Sequence, residues 1–585
     1  MPYRLSYADV LSEEVSSDIF EPLETYTTST PNILNIHVTT FIESGSCVVG
    51  DYTGCTLQDV LNETTKGSFK PEVKINFNTD NDYFSFGLTS NATLRQRGGI
   101  KTRKAPLKSF RIKLDKGVSL WREQRRLQLV KAFEDRSRIR NKLSFDLFAE
   151  IPHLPSLRSQ FVRFSIEDNA SVLEQGLYTH IEYVGKEYLE RRGWNKDSAI
   201  YKAEYFLFYN HDSLKLDAEG KPVNKDKFES ILEIKRGKNH KALIEMLSAI
   251  ENNKLDFQTN IFNTYFDKNN LLTWLASNIL TNNPDTRAHN YYLYNPKGSK
   301  KFYFLPWDYD RAWGHAQESS KGLVNQLPNW WFSHANWWEN QLIKRFLITP
   351  GNLTLLENAV SDIKRKYLSP ETIQTKVESY RNIVFPIIRE KADWNTIDLK
   401  GNTDPERIAE YNQIMDSFSH NVEFNYKNFI ERLNDPMPFR LKETIIDTQN
   451  SEITFTWEES ISLTGQNIIY DLEIANDKEF EEQSIVEIIQ NIPENHYKLQ
   501  WIHPKGTYYF RVISRDANAP SKHWQIAFDR LIKRNNGLDA YGIKSFVVST
   551  NGEVSNNKSG SLSWIMLFLL LLITISNKKR RTKTS

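Results

Sequence analysis

A β-hairpin that follows a buried helix is the feature that most constrains the fold of this chain. Residues 290–295 (NYYLYN) and 301–305 (KFYFL) are rich in aromatic side chains and flank a Pro-Lys-Gly-Ser turn, a pattern typical of two antiparallel strands. The apolar run 271–280 indicates the end of a buried helix, and Thr-Asn-Asn-Pro at 281–284 should stop it. Because the open ends of a hairpin lie side by side, the residues just outside its two strands are expected at one edge.

Three polar residues flank this hairpin. Asn290 precedes the first strand, Asp308 follows the second, and Asp285 lies in the preceding loop. Two carboxylates and an amide suit a hard cation such as Mg²⁺, which completes its shell with water and phosphate oxygens. Asp285 and Asn290 also have the D-x-x-x-x-N spacing of a kinase catalytic loop, and Asp308 would replace the DFG aspartate. Capping of the hairpin is the alternative role, but the three residues together favour phosphoryl transfer.

Composition limits the other classes of function. Lys plus Arg number 75 against 73 Asp plus Glu, so the net charge of +2 gives no field that would hold nucleic acid along the surface. The two cysteines, Cys47 and Cys55, are too few for a four-ligand zinc site, and their spacing suits a small loop disulfide and two free thiols equally well. Neither Gly-x-Ser-x-Gly nor His-Glu-x-x-His occurs, so serine hydrolase and zincin activities have no support.

Further motifs occur in one order across roughly residues 90 to 435. They are LRQRGG at 94–99, KSFRIKL at 108–114, IRNKL at 139–143, DLF at 146–148, GLY at 176–178 followed by Glu182, Tyr201-Lys202, the Asp285 loop, and PWDYD at 306–310. In order and spacing, the sequence resembles the CotH kinase family. The resemblance implies an α+β, atypical protein-kinase-like two-lobed fold that uses ATP and Mg²⁺ or Mn²⁺ to phosphorylate Ser or Thr of an exported or cell-envelope protein.

The resemblance also implies roles at the hairpin. Asp285 would be the catalytic-loop aspartate, Asn290 and Asp308 would be metal ligands, and Asp310 would be a second metal contact or a structural partner. His289 lies beside Asn290, where a hydrogen-bonded structural histidine is favoured over a catalytic base.

Four residues outside the hairpin are candidates for nucleotide or phosphate binding. Lys202 would neutralise charge near the α and β phosphates and Glu182 would hold it as an ion pair, with a solvated Lys202 as the alternative. Arg97 and Arg111 would meet phosphate through their planar guanidinium groups, and surface salt bridges are equally compatible with both.

The part after residue 435 has a different pattern. Apolar and polar residues alternate with period two at 453–457, 470–474 and 507–512, which predicts half-buried strands. With Trp457 and the run 506–512, this part resembles a fibronectin type III sandwich. Before it, residues 320–435 have helical spacing, as at Leu355, Ala359 and Ile363. The tryptophans at 330, 331, 337 and 338 fit buried packing better than a sugar-binding platform.

The C-terminal end is predicted to be membrane-directed. Residues 562–575 are almost wholly apolar, and four basic residues follow at 578–581, which predicts a cytoplasmic C-terminus with the rest of the chain outside. Ser559-Gly560-Ser561 before this run resembles the GlyGly-type sorting tails of Gram-negative surface proteins. The first thirty residues contain no apolar run of export-signal length, so we expect an upstream start, in preference to a tail anchor facing the cytoplasm.

The predicted fold class is therefore α+β, with a kinase-like two-lobed fold followed by an all-β sandwich and a C-terminal transmembrane segment. The predicted organisation is a partly strand-forming region at 1–90, a CotH kinase-like domain at 91–435, a fibronectin type III-like domain at 436–548, a linker at 549–561, a transmembrane or sorting helix at 562–576 and a basic cytoplasmic tail at 577–585. The predicted function is an atypical protein kinase at the cell surface. The alternative is an inactive adhesin or scaffold that binds through the fibronectin-like part.

Overall fold

The computed structural model describes residues 32–41, 55–65, 70–80, 89–315, 328–447, 449–533 and 539–548. Within them the chain divides into two compact units. The first comprises the described parts of 1–324 and 339–427, and the second those of 325–338 and 428–585. Both helices and sheets are present, so the predicted α+β class is confirmed.

Seven strands of the first unit form a closed barrel in the order β1-β2-β3-β4-β5-β7-β6. Their bounds are β1 Ile33–Phe41, β2 Val73–Thr79, β3 Ala92–Gln96, β4 Phe110–Leu114, β5 Arg126–Val130, β6 Ser159–Asp168 and β7 Ser171–Ile181. Neighbours are antiparallel except β1 and β6, which run parallel. Residues along a strand alternate between its two faces, and each of the seven strands contributes buried aliphatic or aromatic side chains from its inward face. These side chains fill the interior of the barrel.

The first two barrel strands come from the region before residue 91. β1 pairs with β6, and β2 pairs with β3, so both are hydrogen-bonded into the same sheet as the family-like motifs. The predicted boundary at residue 91 therefore does not separate packed structures. Cys55, between these strands, is disulfide-bonded, while Cys47 lies outside the described residues.

A second sheet of the first unit contains the hairpin, in the order β11-β10-β8-β9. Its strands are β8 Ala199–Ala203, β9 Leu232–Arg236, β10 Tyr291–Asn295 and β11 Tyr303–Pro306. β10 and β11 pair antiparallel, as the sequence predicts. The Asn270 side chain bonds both backbone groups of Phe304, at 3.0 Å and 2.6 Å, so the outer edge of β11 is covered at this point.

The described residues include the α-helices α1 Leu57–Asn62, α2 Ile100–Lys104, α3 Arg140–Phe148, α4 Lys186–Arg191, α5 Lys225–Glu229, α6 Lys241–Glu251, α7 Asn263–Tyr265, α8 Lys268–Thr281, α9 Gln341–Ile348, α10 Asn352–Lys366, α11 Pro370–Ile388, α12 Lys391–Trp394 and α13 Asp404–Glu431. α8 is buried on all sides from Asn269 to Thr281, which fits its lack of a polar face. It ends where the sequence predicts, with Asn282 in the left-handed conformation as its C-cap.

The second unit is mainly β-structure. Its strands are β12 Ile445–Asp447, β13 Glu452–Thr456, β14 Ile468–Ala475, β15 Ile485–Ile492, β16 His496–Gln500, β17 Gly506–Asp516, β18 Trp524–Ile526, β19 Arg530–Lys533, β20 Asp539–Tyr541 and β21 Ile543–Val548. They form sheets of three strands (β12-β13-β16) and five strands (β15-β14-β17-β18, with β21 on β17), and a separate pair, β19-β20. Side chains of the two larger sheets share one core that includes Trp457, so the three strands predicted after residue 435 are confirmed.

The aromatic segment at 328–338 also belongs to the second unit. Trp330, Trp337 and Trp338 are buried. The ring of Trp330 lies 5.2 Å from Phe528 and 5.4 Å from Tyr541, both edge-to-face. These tryptophans therefore pack into a core, as predicted, and do not form an exposed platform.

Within the described residues, no helix has the length and apolar character needed to cross a membrane. The predicted membrane-directed run at 562–576 and the basic tail after it lie outside those residues.

Candidate active site

The hairpin brings its two flanking polar residues together. Tyr291 pairs with Pro306, so Asn290 and Asp308 leave the sheet at the same end. Asn290 donates a hydrogen bond from Nδ2 to the backbone oxygen of Asp308 at 3.3 Å. Because this bond uses the nitrogen of the amide, its oxygen is the atom left to bind a cation. Both residues have left-handed backbones, with φ of 62° for Asn290 and 58° for Asp308.

Asp285 lies on a 3₁₀ turn, Pro284–Arg287, that follows the C-cap of α8. Its Oδ2 is 3.7 Å from Nε2 of His289 and 3.6 Å from Nη1 of Arg311. Burial acts to raise the pKa of Asp285, but the His289 hydrogen bond and the positive charges of His289, Arg311 and Arg287 outweigh it and lower the pKa to about 2. The carboxylate is therefore ionised at neutral pH and suited to orienting a hydroxyl group.

The negative charges of Asp308 and Asp310 are less well neutralised by neighbouring cations than the charge of Asp285 is. Burial raises the pKa of Asp308, the charge of Asp285 raises it further, and Arg97 and Lys202 oppose the rise. Burial also raises the pKa of Asp310 well above its ordinary value, and the neighbouring carboxylates, first Asp308, add to this effect. A carboxylate pair whose charges repel each other in a half-buried place is the environment that a divalent cation stabilises.

The donor set at this edge fits the ion that the sequence predicts. Asp308, Asp310 and the Asn290 amide oxygen are hard oxygen donors, and Mg²⁺ is commonly held by one or two carboxylates together with phosphate oxygens and water. In the part of the chain that the structure describes, no group of three His, Cys, Asp or Glu side chains forms a metal site.

Lys202 lies on β8 directly opposite Tyr292 of the hairpin. Its charge acts to lower the pKa of Asp308, so it stands within electrostatic reach of the acidic pair. Its Nζ forms an ion pair with Glu204 Oε1 at 2.7 Å. The Lys202 side chain as a whole is 22% exposed.

The ion pair predicted between Lys202 and Glu182 is wrong. Glu182 is fully buried and contacts three arginines, Arg192 at 2.9 Å, Arg191 at 3.3 Å and Arg158 at 3.5 Å. Although burial acts to raise the pKa of Glu182, these charges lower it to about 2. Its carboxylate is already saturated with cations, and Glu204 is the acid beside Lys202.

The two predicted phosphate-binding arginines extend the positive charge along the barrel. The guanidinium carbon of Arg97 lies 5.7 Å from the ring centre of Trp307, and that of Arg111 lies 5.1 Å from the ring centre of Tyr183. Burial lowers the pKa of both groups. The Nε of each is buried and lacks a hydrogen-bond partner among the described residues, so each guanidinium keeps a donor for an anion.

Other residues of the site were missed by the sequence interpretation. Arg311 reaches Asp285, Asn283 donates to the Asp308 carbonyl, and Asn141 accepts from the Tyr309 amide. Asn141 stands in the IRNKL motif and Arg311 directly follows PWDYD, so position in a motif was the available signal. Nothing in the local pattern indicates which atoms these side chains contact.

Comparison with known proteins adds one family match. Residues 94–432 match the family model described as CotH kinase protein. The inner spore coat protein H of Bacillus subtilis is 30% identical over 198 residues, which is 33% of this chain and 51% of that protein. The chain therefore spans about half the length of this curated relative.

Two solved structures are similar over parts of the chain. A Fn3-like protein from Clostridium thermocellum aligns with 16% of this chain and 82% of its own, at 15% identity and a TM-score of 0.12. The Shewanella oneidensis MR-1 toxin–antitoxin complex of HipA, HipB and operator DNA aligns with 63% of this chain and 66% of the matched chain, at 11% identity and a TM-score of 0.24. At these TM-scores neither similarity defines a shared fold.

Proposed function

The chain belongs to the CotH kinase protein family over residues 94–432, and from this we propose that it is an atypical protein kinase that transfers the γ-phosphate of ATP to Ser or Thr of a secreted or cell-envelope protein. The observation that carries the proposal is the convergence at one sheet edge of an ionised Asp285, the Asn290 amide and the mutually repelling Asp308 and Asp310. The motif order over the same span agrees with it.

Each residue has a role in this proposal. Asp285 orients the acceptor hydroxyl and draws its proton away as the acceptor oxygen bonds to the γ-phosphorus and the bond to the β-phosphate oxygen breaks. Asn290, Asp308 and Asp310 would hold Mg²⁺ or Mn²⁺, which when bound neutralises charge on the β- and γ-phosphate oxygens. Lys202 binds phosphate as a point charge.

Arg97 and Arg111 add a planar fork of donors on the barrel side of the phosphates. Both have a buried Nε without a partner among the described residues. Neither forms an ion pair with an acid in that part of the chain, so the alternative role of surface salt bridges has no support there. Their cationic groups are therefore available to an anionic ligand.

The second unit and the C-terminal run bear on where the protein acts. Its three-stranded and five-stranded sheets and the buried Trp457 support a fibronectin type III-like module that spaces or binds. We place the protein at the cell envelope, with the C-terminal run as anchor, in line with the spore-coat relative's name and the basic residues at 578–581. The alternative of an inactive adhesin or scaffold rests on this unit alone.

The test is transfer of labelled γ-phosphate by the full chain with Mg²⁺ or Mn²⁺, scored on the protein itself and on a generic acceptor. Asp308→Asn keeps the size of the side chain but removes its charge, and we expect at least a ~100-fold loss of transfer. Asp362→Asn is the matched control, because Asp362 is a buried carboxylate on α10 that pairs with Arg365 and Lys366. It should transfer phosphate like the wild type.

Two results would reject the kinase. One is the absence of label from every variant together with no ATP-induced shift in thermal unfolding, which would favour the scaffold. The other is equal transfer by wild type and Asp308→Asn, which would show that the hairpin edge is not the reaction centre.

A further inference from the structure

The peptide group between Asp308 and Tyr309 is held at both of its ends. The Asp308 carbonyl oxygen accepts hydrogen bonds from Nδ2 of Asn283 at 3.1 Å and from Nδ2 of Asn290 at 3.3 Å. The Tyr309 amide donates to Oδ1 of Asn141 at 2.8 Å. Three amide side chains, two from the loop between α8 and β10 and one from α3, therefore fix the plane of one peptide group.

This peptide follows a residue whose backbone conformation is unfavourable. Asp308 has φ of 58°, a region where a Cβ atom approaches the following carbonyl oxygen and which residues other than glycine rarely adopt. The backbone conformation sets the direction in which the carboxylate leaves the chain. Holding the peptide consequently also holds the carboxylate of a proposed metal ligand.

The amides that hold it are only partly satisfied. Asn283 and Asn141 are 0% and 2% exposed. Within the described residues, Oδ1 of Asn283 and Nδ2 of Asn141 are buried without a hydrogen-bond partner. An amide with one orphaned atom is costly in a buried position, so the single hydrogen bond that each of these two side chains makes to the Asp308–Tyr309 peptide has to offset that cost.

Both asparagines lie in or next to buried helices, which fixes their backbone positions. Asn283 directly follows the C-cap of the buried α8. Asn141 lies in the first turn of α3, which also binds the chain beyond Asp308. Arg140 donates to the Ala312 carbonyl at 3.0 Å, and the Trp313 indole donates to Ser144 at 2.8 Å.

We propose that Asn283 and Asn141 are positioning residues that hold the Asp308 carboxylate in its metal-binding orientation. They act through the Asp308–Tyr309 peptide and do not touch substrate. The inference rests on the proposed function, because it assigns to Asp308 the binding of the divalent cation. Outer residues that orient a metal ligand commonly contribute 10- to 100-fold, roughly, to metal affinity.

The test compares Asn283→Ala with Asn425→Ala. Asn425 is also 0% exposed, also donates Nδ2 to a backbone carbonyl (Leu280, 2.9 Å) and also has an orphaned Oδ1 among the described residues. The two variants should therefore lose similar stability in thermal unfolding. Only Asn283→Ala should weaken Mn²⁺ binding, measured by electron paramagnetic resonance with ATP present, by ~10-fold or more.

Asn141→Ala provides a second route if Asn283→Ala does not fold, and it should weaken Mn²⁺ binding in the same way. In folded variants, the half-saturating Mn²⁺ concentration for phosphate transfer should rise together with the binding constant. Mn²⁺ affinity within ~2-fold of the Asn425→Ala control for both variants would overturn the inference, since positioning should cost more than this.

The same measurements separate this inference from the proposed function. Wild-type protein that binds Mn²⁺ through Asp308 but transfers no phosphate would reject the kinase and leave the positioning role intact. Phosphate transfer that survives in both asparagine variants at unchanged Mn²⁺ demand would reject the positioning role and leave the kinase intact. Wild-type protein that binds no Mn²⁺ would overturn the positioning role as well.

Discussion

Replacing Glu182 with glutamine should lower the free energy of unfolding of the protein and leave its KM for ATP unchanged. The pKa of Glu182 is lowered from 4.5 to about 2 by Arg192, Arg158 and Arg191, which outweigh its burial. At ~1.4 kcal/mol per pH unit, lowering the pKa from 4.5 to about 2 corresponds to about 3.5 kcal/mol of stability at neutral pH. Removal of one partner from a buried ion pair typically costs about 3–5 kcal/mol, which agrees.

The direction of the pH dependence follows from the lowered pKa. The contribution of Glu182 to the free energy of unfolding is complete above about pH 4.5 and is lost as pH falls toward about 2. Glu182→Gln should therefore differ most from wild type at neutral pH, and the two curves should approach each other through this window. Urea unfolding at a series of pH values measures both, provided the m-value is unchanged.

Glu204→Gln is the comparison that separates a structural acid from a site acid. The Lys202–Glu204 pair has side chains 22% and 26% exposed, so its loss should cost only ~0.2–1 kcal/mol. Because Glu204 is the acid that holds Lys202, its variant should raise the KM for ATP several-fold. A Glu182→Gln variant that loses less than ~1 kcal/mol, or that raises the KM for ATP as much as Glu204→Gln does, would refute the reasoning.

Two further predictions concern a glycine and the acidic pair. A Cβ on Gly176 (φ 74°) would collide with the Asp393 carboxylate, which pairs with Lys131 at 2.8 Å, so Gly176→Ala should lose at least ~3 kcal/mol in urea unfolding. Gly193→Ala, with φ of 68° and open space around the Cβ, should lose only ~1 kcal/mol, and similar losses would contradict the clash. Because burial and like charge raise the pKa values of Asp308 and Asp310, protons compete with the metal, so the half-saturating Mn²⁺ concentration should rise as the pH is lowered. A flat profile would separate these carboxylates from metal binding.

The parts of the site that the sequence predicts are those fixed by local chain geometry. The stop after α8, the hairpin and the meeting of Asn290 with Asp308 all follow from turn residues and strand pairing within about forty residues. The strands of the second unit were equally predictable, since alternation marks them in isolation.

The pairing of strands that are far apart in the sequence could not be predicted from turn residues and spacing. β1 closes the barrel by running parallel to β6, with Ile36 opposite Phe164, and no turn or spacing in the sequence specifies that register. The partners of Glu182 were not predictable either. A motif order places an acid and a lysine in one sequence pattern, but nothing in that pattern indicates that Arg158, Arg191 and Arg192 surround the carboxylate.

Charge balance distinguishes the two kinds of buried acid better than motif membership does. Glu182 and Asp308 both stand in or beside family-like motifs, yet three arginines lower the pKa of Glu182, while burial and Asp285 raise that of Asp308 despite Arg97 and Lys202. A carboxylate with surplus cations has no free energy to gain from a further one, and one with a deficit does. On this ground the metal is expected at Asp308 and Asp310, and Glu182 is assigned to the scaffold that supports the barrel.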